Sequence, residues 1–231
     1  MSTENWPEEL QPVLRWLRTV PGDEKHDSSA LSTLPVLWVL YDRILRFDPT
    51  QPRNDDRDRF ILSKGHGPLA FYTILALKGF FPLELLPTFT RWESPLGGHP
   101  DRLQVPGVEA STGSLGHGFP MAVGQALALR ARGIDRRVFV LVGDGECNEG
   151  SIWEAALLAG HFGLSGLTGI QVDNHSSTLQ PGDWARKFSA FGWAVRTVPT
   201  LDLDAIENAL RIRDPSRPSL VVVDVPEEQE S

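Results

Sequence analysis

The 231-residue sequence predicts an α/β fold, a central mostly parallel sheet with helices on both faces. Three observations carry that expectation. Short β-branched runs alternate with longer segments of helical periodicity, the pattern of strand–helix–strand units. The run Val138-Phe139-Val140-Leu141-Val142 is apolar throughout, as a strand covered on both faces must be. It stops at Gly143-Asp144-Gly145, and the next apolar run, Leu167 to Val172, stops at Asp173-Asn174. In open parallel sheets ligands bind outside the carboxyl ends of the strands, so both stops are candidate site positions.

The remaining elements follow in order. Leu10, Val13, Leu14 and Leu17 share one face of a helix expected over Pro7 to Val20, which Pro21-Gly22-Asp23 ends. Asp27-Ser28-Ser29 offers an N-cap for a longer helix, roughly Ala30 to Arg46, and Pro35 moves its expected start towards Thr33. A polar loop, Asp48 to Arg59, leads into a short strand, Phe60 to Ser63. Helices are expected over Leu69 to Lys78, Pro82 to Phe89, Phe119 to Ala131, Glu149 to Gly160 and Leu201 to Arg213, the last capped by Asp202 or Asp204. Leu220 to Val225 reads as a last strand, and the acidic tail from Pro226 as a frayed end.

Composition narrows the function classes. The length suits one α/β domain spanning residues 1–231. A net charge of −8, without a basic stripe, argues against nucleic acid as a partner. Apolar runs fall short of a membrane span, so no membrane partner is expected. The single cysteine, Cys147, forbids an internal disulfide, and polar, acidic Met1 to Glu9 do not resemble a secretory signal. The expected location is cytoplasmic.

Four loops carry chemistry. In Gly143-Asp144-Gly145 the glycines let a phosphate approach the backbone, and the aspartate supplies an oxygen to a hard cation. Asn174 follows Asp144 by one strand–helix–strand unit, which brings the two side by side. His66, between Gly65 and Gly67 in a strand-to-helix turn, can aim its ring at a ligand or sit idle in the turn. His99 also lies beside glycines, and on its own pattern it reads as solvated. Ser111-Thr112-Gly113-Ser114-Leu115-Gly116-His117-Gly118 runs into an apolar helix and reads equally as a phosphate cradle or as tight helix–sheet packing. It is neither a Walker loop nor a GxGxxG fingerprint.

Taken together, and in this order, these stretches resemble the thiamine-diphosphate-binding domain of transketolases. Arg57-Asp58-Arg59-Phe60-Ile61-Leu62-Ser63-Lys64-Gly65-His66-Gly67 is similar to that family's strand and histidine loop, and Gly98-His99-Pro100 to its GHP loop. Val108 to Gly118 is similar to its diphosphate loop, and Gly143-Asp144-Gly145 through Asn174 to its cofactor motif. More narrowly, the chain resembles the first subunit of a split transketolase, with a thiamine-diphosphate-binding fold.

The resemblance implies a site. Asp144, Asn174 and the backbone carbonyl of Ser176 would ligate Mg²⁺ or Ca²⁺, with diphosphate and water completing the shell. Gly145 would approach the diphosphate, His66 would contact it, and Gly113, Ser114 and Leu115 would line the cofactor. His26 and His99 would face the substrate as catalytic groups. The activity implied is transfer of a two-carbon ketol unit from a ketose (phosphate) donor. The pyrimidine-binding domain, with its activating glutamate, is expected on a partner chain in an α₂β₂ heterotetramer.

Departures from the family pattern shape the remaining expectations. Lys25-His26-Asp27-Ser28-Ser29 keeps the histidine but not the glycines usual around it. A further histidine expected beyond the last strand is not found before Ser231. A trimmed acceptor side suits either an aldose or a specialised acceptor such as a carrier-protein thiol. Two alternatives are a non-catalytic cofactor-binding subunit and a component of a decarboxylating dehydrogenase. Cys147 reads as structural, since no histidine is arranged to activate it.

Overall fold

The computed structural model describes residues 6–19, 27–175, 177, 179 and 182–225. Its strands are β1 (Arg59–Leu62), β2 (Val138–Gly143), β3 (Leu167–Asp173), β4 (Ala194–Val198) and β5 (Ser219–Asp224). Its helices are α1 (Gln11–Thr19), α2 (Asp27–Val39), α3 (Leu69–Leu77), α4 (Gly118–Ala131), α5 (Gly150–His161), α6 (Trp184–Ala190) and α7 (Leu203–Arg211). The strands form one sheet in the order β1-β2-β3-β5-β4, and every neighbouring pair is parallel.

Side chains alternate across each strand, so the sheet divides the interior into two cores. Phe139 and Leu141 of β2, with Ile170, Val172, Val221 and Val223, pack beneath α1, α2, α3 and α7. Val138, Val140 and Val142, with Leu220 and Val222, pack against α4, α5 and α6. All six residues of β2 are buried. The sheet is therefore covered on both faces, as all-parallel sheets must be.

Four expected strands correspond to β1, β2, β3 and β5. The strand β4 and the helix α6 were not anticipated from the sequence. β4 is an edge strand whose middle residues stay partly exposed, so its sequence, Ala-Val-Arg-Thr-Val, lacks the fully apolar signature. α6 spans seven residues, too few to display a helical period.

The start of α2 also differs from expectation. It begins at Asp27, and Pro35 lies inside it. An interior proline costs about 3 kcal/mol through a lost backbone hydrogen bond and a ring clash. Leu34, Val36, Leu37 and Leu40 are completely buried in the first core, and burial of each side chain returns roughly 1.5–3 kcal/mol. Tertiary packing outweighs propensity here. The helix then ends in a wide turn over Leu40–Ile44, closed by Leu45 N–H donating to the Leu40 carbonyl at 2.8 Å. At α7 the cap is Asp202, whose side chain accepts from Ala205 N at 2.8 Å.

Where α5 crosses the segment before β4, Gly160 lies against the backbone of Phe191, and a methyl group there would overlap the Phe191 carbonyl oxygen. Gly160→Ala is expected to destabilise the fold by at least about 1–3 kcal/mol through overpacking against backbone that cannot rotate away. Urea unfolding of wild type and variant, compared by midpoint at equal slope, checks this.

Candidate functional site

Parallel strands deliver their carboxyl ends to one edge, and the loops leaving β1, β2 and β3 meet there. Gly143 pairs in register with Val172, so Asp144 and Asn174 leave neighbouring strands side by side. Asp144 is 3% exposed, and its Oδ2 accepts from Ser177 N–H at 2.7 Å. That bond folds the β3 loop back over the end of β2. Asn148 Nδ2 donates to Ser177 Oγ at 2.9 Å and adds a second tie between the same loops. Asn174 and His66 are half-buried at this edge.

The glycine-rich segment before α4 lies across these strand ends. Thr112 Oγ1 donates to the Leu62 carbonyl at 2.7 Å, pinning the segment to the end of β1. Gly113 has φ +145°, and a side chain on it would overlap the ring of His99. His99 thus rests against Gly113 while staying exposed. Gly116 has φ +81°, and a Cβ there would collide with Ser151 Oγ. Ser114 is exposed and Leu115 half-buried in the same loop. The Tyr72 hydroxyl donates to the carbonyls of Gly97 and His99, at 3.0 and 2.9 Å, and fixes the GHP loop from below.

Two buried polar residues complete the site that sequence reasoning had given no role, Glu146 and Lys64. Glu146 is 1% exposed; its Oε1 accepts from Ser63 Oγ at 2.6 Å and from Gly116 N–H at 2.9 Å. One carboxylate therefore joins the loops after β1, before α4 and after β2. Burial pushes its pKa up to about 7, against the pull of Ser63, Gly116 and Lys64. Lys64 is 5% exposed with its stem against Gly143. Burial lowers its amine to about 8, opposed by the charges of Asp144 and Glu146. The partners of Glu146 lie 83 and 30 residues away, so no local pattern could have disclosed it.

The loops that carry His66, His99 and Gly113 to Leu115 meet where Gly65 and the His99 ring lie against Gly113, and the loops that carry Asp144, Gly145 and Asn174 are tied by Ser177. His26 and Ser176 lie outside the described residues. Cys147 is buried and burial raises its thiol well above the ordinary range, which suits a structural residue.

Residues 21–225 match the family described as transketolase, thiamine diphosphate binding domain. The chain belongs to this family. Among its relatives is a 6-deoxy-6-sulfo-D-fructose transketolase subunit from Clostridium sp., 39% identical over 86% of this chain and 75% of that protein. An apulose-4-phosphate transketolase subunit from Actinobacillus succinogenes is 39% identical over 86% of this chain and 74% of that one. A Rhodococcoides fascians protein named ferredoxin fas2 is 48% identical over 88% of this chain and 68% of its own length. An iron–sulfur cluster held by cysteines takes four, and this chain has one. Among solved structures, transketolase from Leishmania mexicana superposes with a TM-score of 0.75 at 28% identity, over 88% of this chain and 36% of that one. Transketolase from Campylobacter jejuni gives 0.76 at 28% identity, over 87% and 37%. The fold is the thiamine-diphosphate-binding fold, and the chain spans little more than a third of those solved transketolases.

The site of this transketolase domain suits the cofactor. Nothing lies within 4 Å of where a Cβ on Gly145 would sit, which leaves room for a phosphate against the backbone. Asp144 and Asn174 offer hard oxygen donors. Among the described residues no three His, Cys, Asp or Glu side chains converge as a self-sufficient metal site. A cation here must draw further ligands from backbone, water and diphosphate, which is how Mg²⁺ is ordinarily held.

Glu146 also sets a pH dependence. Its folded pKa lies above the unfolded value, so its stabilising contribution is complete below about pH 4.5 and is lost as pH rises through about 7. In metal-free protein Glu146→Gln is expected to remove a decline of about 3 kcal/mol between pH 4.5 and 8. Urea midpoints of both proteins across that range check it, and parallel curves would sink the assignment.

Proposed function

We propose that this chain is the diphosphate- and metal-binding subunit of a two-chain transketolase. It would transfer a two-carbon ketol unit from a ketose (phosphate) donor to an aldose or to a specialised acceptor such as a carrier-protein thiol. The observation that carries the reading is the register of β2 and β3, Gly143 against Val172, which starts the loops of Asp144 and Asn174 from adjacent strand ends. Bound thiamine diphosphate supplies the carbon nucleophile that accepts and releases the two-carbon unit.

The residues of this chain divide the remaining work. Asp144, Asn174 and the Ser176 carbonyl hold Mg²⁺ (or Ca²⁺), and Gly145 and His66 meet the diphosphate. Gly113, Ser114 and Leu115 line the cofactor's flank. His99 faces the substrate, where an imidazole can hold or pass a proton at the donor's hydroxyl oxygen, and His26 is assigned the same task. Glu146 keeps three loops in register beneath them.

The partner chain supplies the pyrimidine-binding domain and its activating glutamate, in an α₂β₂ heterotetramer in the cytoplasm. Support comes from relatives named as transketolase subunits, of which this chain covers 75% and 74%. Among the described residues no helix is long and apolar enough to cross a membrane. The anionic sugars in those relatives' names support a ketose donor with an acidic end group.

Two experiments test the proposal. Asp144→Ala is expected to abolish Mg²⁺-dependent thiamine diphosphate binding, measured by calorimetry, while circular dichroism stays native. Tight binding by the variant would refute the metal assignment. Mixing the chain with a pyrimidine-domain partner is expected to produce ketol transfer that neither chain shows alone, assayed over a panel of ketose donors and of aldose and thiol acceptors. Ordinary turnover between pentose phosphates alone would remove the specialised acceptor, and turnover by the isolated chain would remove the two-chain reading.

A further inference from the structure

We propose that His175 is a positioning residue for the cation site, clamped between two strand ends so that Asn174 is held towards Asp144. This rests on the reading of Asp144 and Asn174 as cation ligands. His175 has φ +56°, a left-handed conformation that a non-glycine residue adopts only when its surroundings hold it there. Its surroundings do so from two strands. His175 Nε2 lies 3.0 Å from Asp224 Oδ1 at the end of β5, and Nδ1 lies 3.7 Å from Asp173 Oδ1 at the end of β3. The backbone N–H of His175 donates to Asp173 Oδ1 at 3.2 Å.

The two carboxylates are register partners on adjacent parallel strands, so the imidazole sits between like charges that would otherwise face each other. Asp173 is itself anchored. Its Oδ2 accepts from Trp184 Nε1 at 3.0 Å, and its carbonyl accepts from Val225 N–H at 2.8 Å. Two residues beyond His175, Ser177 N–H reaches Asp144 Oδ2. The segment carrying Asn174 is thus fixed at its start to β3 and β5, and at its far end to the aspartate of β2.

The ring and Asp224 are both more than two-fifths exposed, so their pairing adds little to global stability. Its effect should fall on cation affinity, because residues that orient metal ligands typically govern it by about 10–100-fold. The solvent around this pair puts the expected effect at the lower end.

The test uses the full chain in complex with its partner subunit. Mg²⁺ is titrated at fixed thiamine diphosphate, following tryptophan fluorescence, with unfolding midpoints measured in chelator. His175→Gly keeps the backbone freedom and loses the ring; Asp224→Asn keeps the ring and loses the charge it faces. Each is expected to raise half-saturating Mg²⁺ about tenfold, with saturating Mg²⁺ restoring the wild-type amplitude and the chelated midpoint unchanged. Wild-type titration by His175→Gly overturns the proposal. If that variant fails to fold, unchanged half-saturation in Asp224→Asn overturns it instead. Chelated midpoints that fall in step with the binding loss also overturn it, since the role is then structural. Wild-type protein without Mg²⁺-dependent binding overturns the parent reading and this one with it, whereas wild-type binding with unaffected variants overturns this one alone.

Discussion

The site depends on how closely the glycine-rich segment before α4 approaches the carboxyl ends of the strands. Gly113 leaves no room for a side chain beside the His99 ring, and a Cβ on Gly65 would lie 2.5 Å from the Gly113 nitrogen. A ring meets backbone at the first point and backbone meets backbone at the second, and only residues without a Cβ permit that. The approach brings the loops after β1, before α4 and after β2 within reach of one carboxylate, Glu146. Without it, Gly116 N–H and Ser63 Oγ could not share the same oxygen. The parallel sheet supplies the common edge, and the glycines convert that edge into a continuous surface.

That surface is bound together by charge held out of water. Glu146 and Lys64 are each at least 95% buried, yet no salt bridge joins them among the described contacts. Burial moves both towards neutrality, the carboxyl up to about 7 and the amine down to about 8. A buried charge without close pairing costs more than a surface one, and replacing such groups by apolar residues often stabilises a fold. Their presence beneath Asp144 is therefore poorly explained by stability. It is better explained by the hydrogen bonds of Glu146, which specify where the glycine loop sits, and by Lys64, whose stem lies over Gly143.

Much of this arrangement was legible in the chain before any coordinates. The run Val138 to Val142 could only be a strand buried on both faces, and its stop at Gly-Asp-Gly marked the edge where ligands bind. Asn174 followed from the next such stop. What escaped had physical causes. The strand β4 lies at the sheet edge, where Arg196 and Thr197 face partly outward, so its sequence loses the apolar signal. Pro35 pointed to a late helix start because propensity is a local rule, while the burial of Leu34 and Leu37 is a tertiary fact. Tyr72 looked like any core aromatic on α3, and its hydroxyl reaches carbonyls 25 and 27 residues away. Glu146 stood in plain sight beside Asp144, but its partners are set by the fold.

The same edge constrains the order of events at the site. Asp144, Asp173 and Asp224 gather with Glu146, whose carboxyl burial moves towards neutrality, at the ends of β2, β3 and β5, and the buried Lys64 amine lies among them. The chain as a whole carries a net charge of −8. A diphosphate entering this edge alone meets like charge in a partly dry setting, where Coulomb energies are several times those in water. On the proposed reading a divalent cation alone has few protein ligands and keeps much of its water, since no three acidic, histidine or cysteine side chains converge among the described residues. Each ligand supplies what the other lacks: the cation cancels the field that repels the diphosphate, and the diphosphate fills the cation's open positions. If the chain binds both as proposed, the two bindings are positively coupled, and by linkage the coupling is the same in both directions. On that reading the sparse donor set makes the site selective for the pair over either member.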